Sequence, residues 1–321
     1  LTGELVTDAT TASRSLLLDL DRLRWDEELL ELFGLGAETL PRVVRNDEVV
    51  GSTTAFGAPM PVGGLIVDQQ ASLVAERCLE PGAAKCTFGT GAFVLAATGG
   101  TAVRSRLGLT SSAAWSVAGE NAYCLDGQVY TAGSAVRWMV SAGLLDSPEE
   151  LDTASGEDTA GAVFVPGLAG LAAPWWTAGP SGALVGLGLA TERRHLVRAV
   201  VEGVVCQVTA LVRAMVHETA VPLQRLRVDG GLTRSRVLMQ AQADLLQIPV
   251  DCYPSPHATA LGVAAMARLA SEPGLSLPEA VHEWTPAATY APQWSADRAA
   301  STLAAWESAV EAVVDREDST R

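Results

Sequence analysis

The segment VDQQA at residues 67–71 closes an apolar run, and the segment KCTFGTGAF follows at residues 85–93. The first segment places the carboxylate of Asp68 where a predicted strand gives way to a helix. The second is a glycine-bracketed turn around Thr90 between β-prone residues, which is suited to wrapping backbone N–H groups around a phosphate. Together the two segments favour phosphoryl transfer to a hydroxyl group.

Asp68 has a structural alternative, because an aspartate at this point can simply cap the helix that follows. Capping alone leaves the neighbouring Gln69 and Gln70 unexplained. If a hydroxyl substrate binds here, Asp68 can accept its proton as the oxygen attacks, and Gln69 would orient the substrate.

Two groups of glycines can also be read either as structural or as ligand-binding. The turn Gly89, Thr90, Gly91 is of a kind that is usually structural, and Gly230 and Gly231 follow a predicted strand where tight helix–strand packing also favours glycine. A nucleotide could equally lie against such bare backbone. The chain contains neither a GxxxxGK[ST] loop nor a GxGxxG fingerprint, so those two nucleotide-binding architectures are disfavoured.

Composition indicates an ordered globular protein with an aliphatic core. Hydrophobic residues make up 48% of the 321 residues, and 37 acidic residues against 22 basic ones give a formal charge of −15. A chain this acidic is repelled by nucleic acid overall. The length fits two domains or one large α/β domain.

Cysteine and histidine usage argues against disulfides and zinc. The five cysteines are widely spread without a CxxC pair, as expected of buried thiols in a reducing, cytoplasmic compartment, and the four histidines form no HExxH pair. Residues 159–191 carry no charge up to Thr191, but prolines and glycines interrupt them. We therefore predict a buried loop followed by strands there, and no membrane insertion.

Strands alternate with helices along the chain, which predicts an α/β protein. A DG pair at residues 126–127 predicts a hairpin turn. The predicted strands are residues 65–67, 86–88, 93–97, 122–125, 128–130, 226–228 and 250–253. The predicted helices are residues 11–20, 26–33, 71–79, 134–142, 195–216, 236–246, 258–270 and 296–314.

Taken in order, these motifs resemble the FGGY family of carbohydrate kinases, and within it the glycerol kinases. The similarity covers nearly all of residues 1–290. Its segments are TDATTASRSLLLDLDRLRWD at residues 7–26, LPRVVRNDEVVGST at 40–53, VDQQA at 67–71, KCTFGTGAF at 85–93, a spaced pattern from Gly182 to Glu202, VDGGLTRS at 228–235 and TALG at 259–262.

The resemblance implies the actin-like, ribonuclease-H-like ATPase fold, with a remnant of a first domain at residues 1–77 and a complete second domain at residues 78–321. ATP would bind between the domains, and closure would expel water. The activity implied is ATP-dependent phosphorylation of a polyol, glycerol to glycerol 3-phosphate.

The resemblance also implies roles for individual residues. Asp68 would be the catalytic base, Gln69 its neighbour in the polyol site, and Phe93 an aromatic wall for the glycerol carbons. The expected nucleotide-binding residues are Gly89, Thr90, Gly91, Gly133, Arg137, Gly230, Gly231 and Ser235. No metal ligand is predicted in the chain, because the main ligand of the expected Mg²⁺ belongs to an amino-terminal third of the family that we expect this chain to lack.

Three departures from the glycerol kinase pattern bear on nucleotide binding. Arg137 replaces a glutamine, Ser235 replaces an asparagine, and His257 replaces an acidic residue.

The alternatives to a glycerol kinase activity are a kinase for another small polyol or sugar, and a truncated nucleotide-binding module without catalysis. We expect small-molecule polyol and ATP as partners, with a homo-oligomer possible.

Overall fold

The computed structural model describes residues 1–179 and 181–318. Its strands are β1 (Val6–Asp8), β2 (Leu18–Asp19), β3 (Arg24–Trp25), β4 (Arg42–Val44), β5 (Val49–Thr53), β6 (Met60–Gly63), β7 (Ala84–Phe88), β8 (Ala92–Gly99), β9 (Thr110–Val117), β10 (Glu120–Val129), β11 (Val163–Val165), β12 (Ala183–Val185), β13 (Leu226–Asp229), β14 (Val250–Cys252) and β15 (Ala288–Tyr290).

In the described part of the chain, helices lie between half of the consecutive strands, which fits the predicted α/β class. They are α1 (Ala9–Ala12), α2 (Glu27–Leu32), α3 (Asp68–Ala75), α4 (Gly133–Ser141), α5 (Leu151–Ala154), α6 (Arg193–Thr219), α7 (Arg236–Leu246), α8 (Ala258–Ser271), α9 (Leu277–Ala280) and α10 (Ala296–Asp318), with 3-10 turns at Ser13–Ser15, Pro148–Glu150 and Gly231–Arg234.

A seven-stranded mixed sheet, in the order β15-β14-β13-β7-β8-β10-β9, is the centre of the molecule. Strand β13 pairs in parallel with β7 and β14, and β7 pairs antiparallel with β8. Successive side chains alternate between the two faces of a strand. Phe88 and Val94 therefore join a core with α6, α7 and α10, whereas Leu95 joins a second core with α3 and α8.

Helix α6 is long and apolar enough to cross a membrane, but 83% of its most apolar 18-residue window is buried inside the protein. It packs against the sheet and against α7. Its apolar composition is therefore that of a core helix. The uncharged stretch before it contains the antiparallel pair β11 and β12, so the predicted strands are present among its described residues. The predicted buried loop is only partly confirmed, because β11 precedes the loop and Trp176 and Leu189 are exposed.

The predicted strand at residues 65–67 is wrong, because β6 ends at Gly63 and the following residues are irregular. Side chains, rather than a neighbouring strand, satisfy the backbone groups of this segment. Asn46 donates to the carbonyl of Leu65, and the N–H of Val67 donates to the hydroxyl of Thr10. The helix that follows begins at Asp68 instead of residue 71.

The predicted hairpin at residues 126–127 is also wrong, because β10 runs without a break through both residues. The turn lies earlier, at Ala118 and Gly119, which both have positive φ angles as a type I′ turn requires. Gly127 serves close packing instead: a Cβ there would lie 2.8 Å from Leu211 Cδ2 of α6. A local sequence signal cannot distinguish these two uses of glycine.

The predicted helix at residues 11–20 is shorter and begins earlier. Helix α1 spans Ala9–Ala12 and is capped by Asp8, whose carboxylate accepts hydrogen bonds from the N–H groups of Thr10 and Thr11. A 3-10 turn and the short strand β2 follow it.

Candidate active site

Asp68 is the first residue of α3, and its side chain is exposed. The residue in the N-cap position is Val67, and the Asp68 carboxylate accepts a hydrogen bond at 2.7 Å from the N–H of Gln69. The simple capping role is therefore absent. An exposed carboxylate is able to accept a proton from a hydroxyl bound beside it.

A network of buried side chains holds the segment that leads into Asp68. The Val67 N–H donates to Thr10 Oγ1 at 2.9 Å, and that hydroxyl in turn donates to Asp8. Asn46 donates to Asp8 at 3.2 Å and accepts a hydrogen bond from the Ser116 N–H at 2.7 Å. These side chains fix the start of α3 from positions distant in sequence.

Sequence reasoning did not assign these positioning residues. The polar run TDATT contains Asp8 and Thr10, and the burial of these two polar side chains is a signal visible only in the fold. Asn46 is likewise fully buried. Buried polar groups persist when they are hydrogen-bonded, so this network fits a structural demand near the site.

Gln69 is oriented by Lys85, the sole lysine of the chain. The Lys85 ammonium is fully buried and donates to Gln69 Oε1 at 2.5 Å and to Thr87 Oγ1 at 2.7 Å. Because the amide oxygen faces the ammonium, the amide nitrogen is left to donate. Phe93 lies directly across from Thr87 in the β7–β8 pair, so these side chains share one face of the sheet.

The predicted phosphate turn is packed by backbone contacts onto the first turn of α4. The Gly89 carbonyl accepts from the Gly133 N–H at 3.0 Å, and the Thr90 carbonyl accepts from the Ser134 N–H at 3.0 Å. A Cβ at Gly133 would lie 2.6 Å from the Gly89 carbonyl oxygen. The structure thus brings Gly89, Thr90 and Gly133 together, with the Thr90 side chain exposed.

The second glycine pair meets the same junction from β13. Gly230 has φ +96°, and a Cβ there would lie 2.4 Å from the carbonyl oxygen of Phe88, which immediately precedes Gly89. Gly231 has open space at its Cβ position and starts a 3-10 turn. Gly91 also packs tightly, with its Cβ position 2.4 Å from the Val129 carbonyl oxygen. The ends of β7, β10 and β13 therefore converge at one place.

Two further residues predicted to bind the nucleotide differ in whether their side chains already have partners in the protein. Ser235 caps α7, accepting from the Leu238 N–H at 3.2 Å and donating to Asp152 at 2.5 Å. Its hydroxyl therefore already serves the local structure. Arg137 is exposed one turn beyond Gly133 on α4, and it has no ion pair with the described residues.

A buried group of charged residues lies beneath the site. Glu76 is the C-cap residue of α3 and is fully buried. Burial raises its pKa well above the usual value, and nearby Asp229 raises it further. Lys85 and Arg227 lower it. Asp126 on strand β10 is also buried. Burial raises its pKa, although Arg14 donates a hydrogen bond to its carboxylate at 2.6 Å and lowers it.

No group of three or more histidine, cysteine, aspartate or glutamate side chains in the described part of the chain could hold a metal ion. The five cysteines, all buried, are free thiols.

Comparison with known proteins agrees with this arrangement. Residues 84–271 match the C-terminal domain of the FGGY family of carbohydrate kinases, and residues 1–75 match its N-terminal domain. The expectation that the family's amino-terminal third is lacking is therefore not confirmed as stated, since part of the N-terminal domain is present.

The chain is 38% identical over 322 residues to a glycerol kinase of Deinococcus radiodurans, and 40% identical over 317 residues to one of Thermus brockianus. These alignments cover 98% and 97% of the chain but 64% of each relative. The chain thus spans less than two thirds of the length of these relatives.

Solved structures give the same answer for the fold. The chain resembles the Plasmodium falciparum glycerol kinase crystallised with ADP, with a TM-score of 0.90 and 31% identity over 97% of the chain and 64% of that protein. It also resembles a xylulose kinase of Rhodospirillum rubrum, with a TM-score of 0.84 and 26% identity over 98% of the chain and 66% of that protein. The actin-like fold is confirmed, and the chain belongs to the FGGY family of carbohydrate kinases.

Proposed function

We propose that the protein phosphorylates a small polyol with ATP, and that glycerol is the acceptor. One observation carries the proposal: an exposed carboxylate, Asp68, is linked to the phosphate turn through a continuous set of contacts. Gln69 bonds Lys85, Lys85 bonds Thr87, and the strand β7 that carries both ends one residue before Gly89. The acceptor side and the nucleotide side are thus built on one strand and one helix.

The chemistry assigned to these residues is an in-line transfer. The oxygen of the acceptor hydroxyl forms a bond to the γ-phosphorus of ATP while Asp68 accepts the hydroxyl proton. At the same time, the bond between the γ-phosphorus and the oxygen that bridges it to the β-phosphate breaks. ADP leaves, and Asp68 releases the proton to solvent. The Gln69 amide nitrogen donates to an acceptor hydroxyl, and Phe93 packs against the acceptor carbons.

Nucleotide binding is assigned to the glycine junction. The backbone at Gly89, Thr90 and Gly91 would hold the phosphates, with Gly133 and Arg137 alongside, while Gly230, Gly231 and Ser235 would border the adenosine. Because the Ser235 hydroxyl caps α7, its contribution would come through the position of that helix. Arg137 offers an exposed guanidinium for the phosphate groups.

Several broader assignments accompany this proposal. Residues 1–77 would form part of the substrate-binding domain and residues 78–321 the nucleotide-binding domain, in a cytoplasmic protein able to form a homo-oligomer. Mg²⁺, entering with ATP, would neutralise phosphate charge. The described residues offer no three-ligand cluster for it, so no step is derived through the metal.

The test is to incubate the purified protein with ATP, Mg²⁺ and glycerol, with xylulose and ribitol as alternative acceptors, and to measure ADP and the phosphorylated product. Asp68→Asn should lower kcat by about 10²- to 10⁴-fold, because only the proton acceptor is lost. Binding of a fluorescent ADP analogue should stay within about twofold of the unmodified protein.

Glu80→Gln, which removes an exposed carboxylate beyond the other end of α3, is the matched control and should leave turnover unchanged. Full activity of the Asp68→Asn variant would overturn the role of the base. Nucleotide binding without phosphorylation of any acceptor would overturn the kinase proposal and favour a non-catalytic nucleotide-binding module.

A further inference from the structure

A cavity of about 360 Å³ lies beyond the far end of α3 and is lined by Arg77, Arg225, Arg227, Asp251, Glu283 and Trp284. Arg77 comes two residues after the last residue of α3, whereas Asp68 is its first. Eight helical residues span about 12 Å. The cavity is therefore separate from the proposed active site.

Guanidinium groups dominate this cavity, in a chain whose formal charge is −15. Arg225 is paired with Asp251, which is buried. Arg77 and Arg227 instead donate to neutral acceptors. The Arg77 guanidinium bonds the carbonyls of Pro278 and Val281, each at 3.1 Å, and the Arg227 guanidinium bonds the Arg77 carbonyl at 2.6 Å.

The remaining acidic groups near the cavity compensate these two charges only in part. Glu283 lines the cavity and is exposed to solvent, which screens its charge. Glu76 lies behind Arg227, but burial raises its pKa, which favours its neutral form. Three guanidinium groups against Asp251 and Glu283 give the lining a net charge of +1.

The guanidinium groups are also held in place before any ligand arrives. The Arg227 guanidinium lies 5.9 Å from the centre of the Trp284 ring, and that ring packs edge-on against Tyr253 with the two ring centres 4.9 Å apart. Fixed guanidinium forks bind oxyanions bidentately and lose little freedom when they do so. An indole wall beside them suits a small organic group.

We propose that this cavity is a second ligand site, which binds a phosphate monoester or inorganic phosphate. The tetrahedral oxyanion matches the Arg77 and Arg227 donors in charge and geometry, and the volume leaves room for a few carbon atoms against Trp284. This proposal can be tested independently of the function proposed above, because phosphate binding can be measured without turnover.

The experiment is a titration of the protein with inorganic phosphate at constant ionic strength. Binding is measured by calorimetry and by tryptophan fluorescence. Glycerol 3-phosphate serves as a second probe, to test for a contribution from the organic group. Because it is also the proposed product, only the part of its binding that Arg77→Gln weakens is assigned to this cavity. We expect saturable binding, and a fluorescence change that is lost in Trp284→Phe. Arg77→Gln should weaken phosphate binding at least about tenfold, because a charge-assisted bond is lost, and Arg77→Lys should recover part of it.

Arg268→Gln is the matched control, because Arg268 also bonds carbonyls at the end of α9, at 3.0 Å for Ala280, but does not line this cavity. It should bind phosphate like the unmodified protein. Arg227→Lys provides a second test should Arg77→Gln fail to fold. Equal weakening by Arg77→Gln and Arg268→Gln, no saturable binding of either probe, or the same response to chloride would overturn the proposal.

Discussion

The nucleotide side and the acceptor side of the proposed active site are held in different ways. On the nucleotide side, glycine backbones touch one another, as where the Gly133 N–H donates to the Gly89 carbonyl at 3.0 Å. On the acceptor side, polar side chains do the positioning, as where Thr10 accepts from Val67, 57 residues away. The first arrangement is sensitive to added atoms, and the second to lost hydrogen bonds.

This difference fits the roles proposed for the two sides. Backbone N–H groups can surround a phosphate only if no Cβ stands in the way, which favours glycine. A general base must instead stay exposed and correctly aimed, so its helix is anchored from behind by buried polar groups. The two sides should therefore respond to opposite kinds of substitution.

The largest effect is expected from Gly230→Ala. The added methyl would meet the Phe88 carbonyl oxygen at 2.4 Å in a backbone with φ +96°, which costs roughly 2–4 kcal/mol in the free energy of unfolding and displaces the phosphate turn. Urea unfolding and binding of a fluorescent ADP analogue would measure both consequences.

Gly231→Ala is the control, because its Cβ position is open. It should keep its stability, and any loss of nucleotide binding in this variant would indicate direct contact with the ligand. If Gly230→Ala were as stable as the unmodified protein, the backbone account of the nucleotide side would be wrong.

Thr10→Val tests the acceptor side with a side chain of nearly the same shape. The Val67 N–H loses its acceptor and Asp8 loses a donor, so the free energy of unfolding should fall by about 1–3 kcal/mol. In the active protein, the KM for glycerol should rise while affinity for the ADP analogue stays the same.

Thr11→Val is the comparison variant, because Thr11 Oγ1 also donates to Asp8, at 2.6 Å, but does not bond Val67. A KM for glycerol that changes equally in both variants would argue against the assigned role of Thr10.

The smallest effect concerns Glu76, at the boundary between the two sides. Because its pKa is raised in the folded protein, its contribution to stability is fully present below its ordinary pKa of 4.5 and is lost as the pH rises toward and beyond the folded value. Glu76→Gln removes that titration, so stability should decline less steeply above pH 4.5. Thermal unfolding followed from pH 4 to pH 9 would measure the slope, with Glu80→Gln as the exposed control. Parallel slopes for Glu76→Gln and the unmodified protein would contradict a buried, proton-binding Glu76.

Much of the fold was predictable where a local pattern and the tertiary structure agree. Helix α7 spans the predicted residues 236–246, and β7, β8 and β13 include the predicted strands. The errors fall where a glycine or a polar residue serves a distant contact. Gly127 makes room for Leu211 rather than forming a turn, and the segment at residues 65–67 bonds side chains rather than a strand.

The sequence by itself determined the family, the α/β class and the order of the candidate motifs, because residue type and spacing are local properties of the chain. Only the tertiary structure decided that Gly89, Gly133 and Gly230 meet at one junction, and that Thr10 and Asn46 hold the approach to Asp68. The physical reason is that hydrogen bonds and steric contacts act over a few ångströms, whatever the separation along the chain.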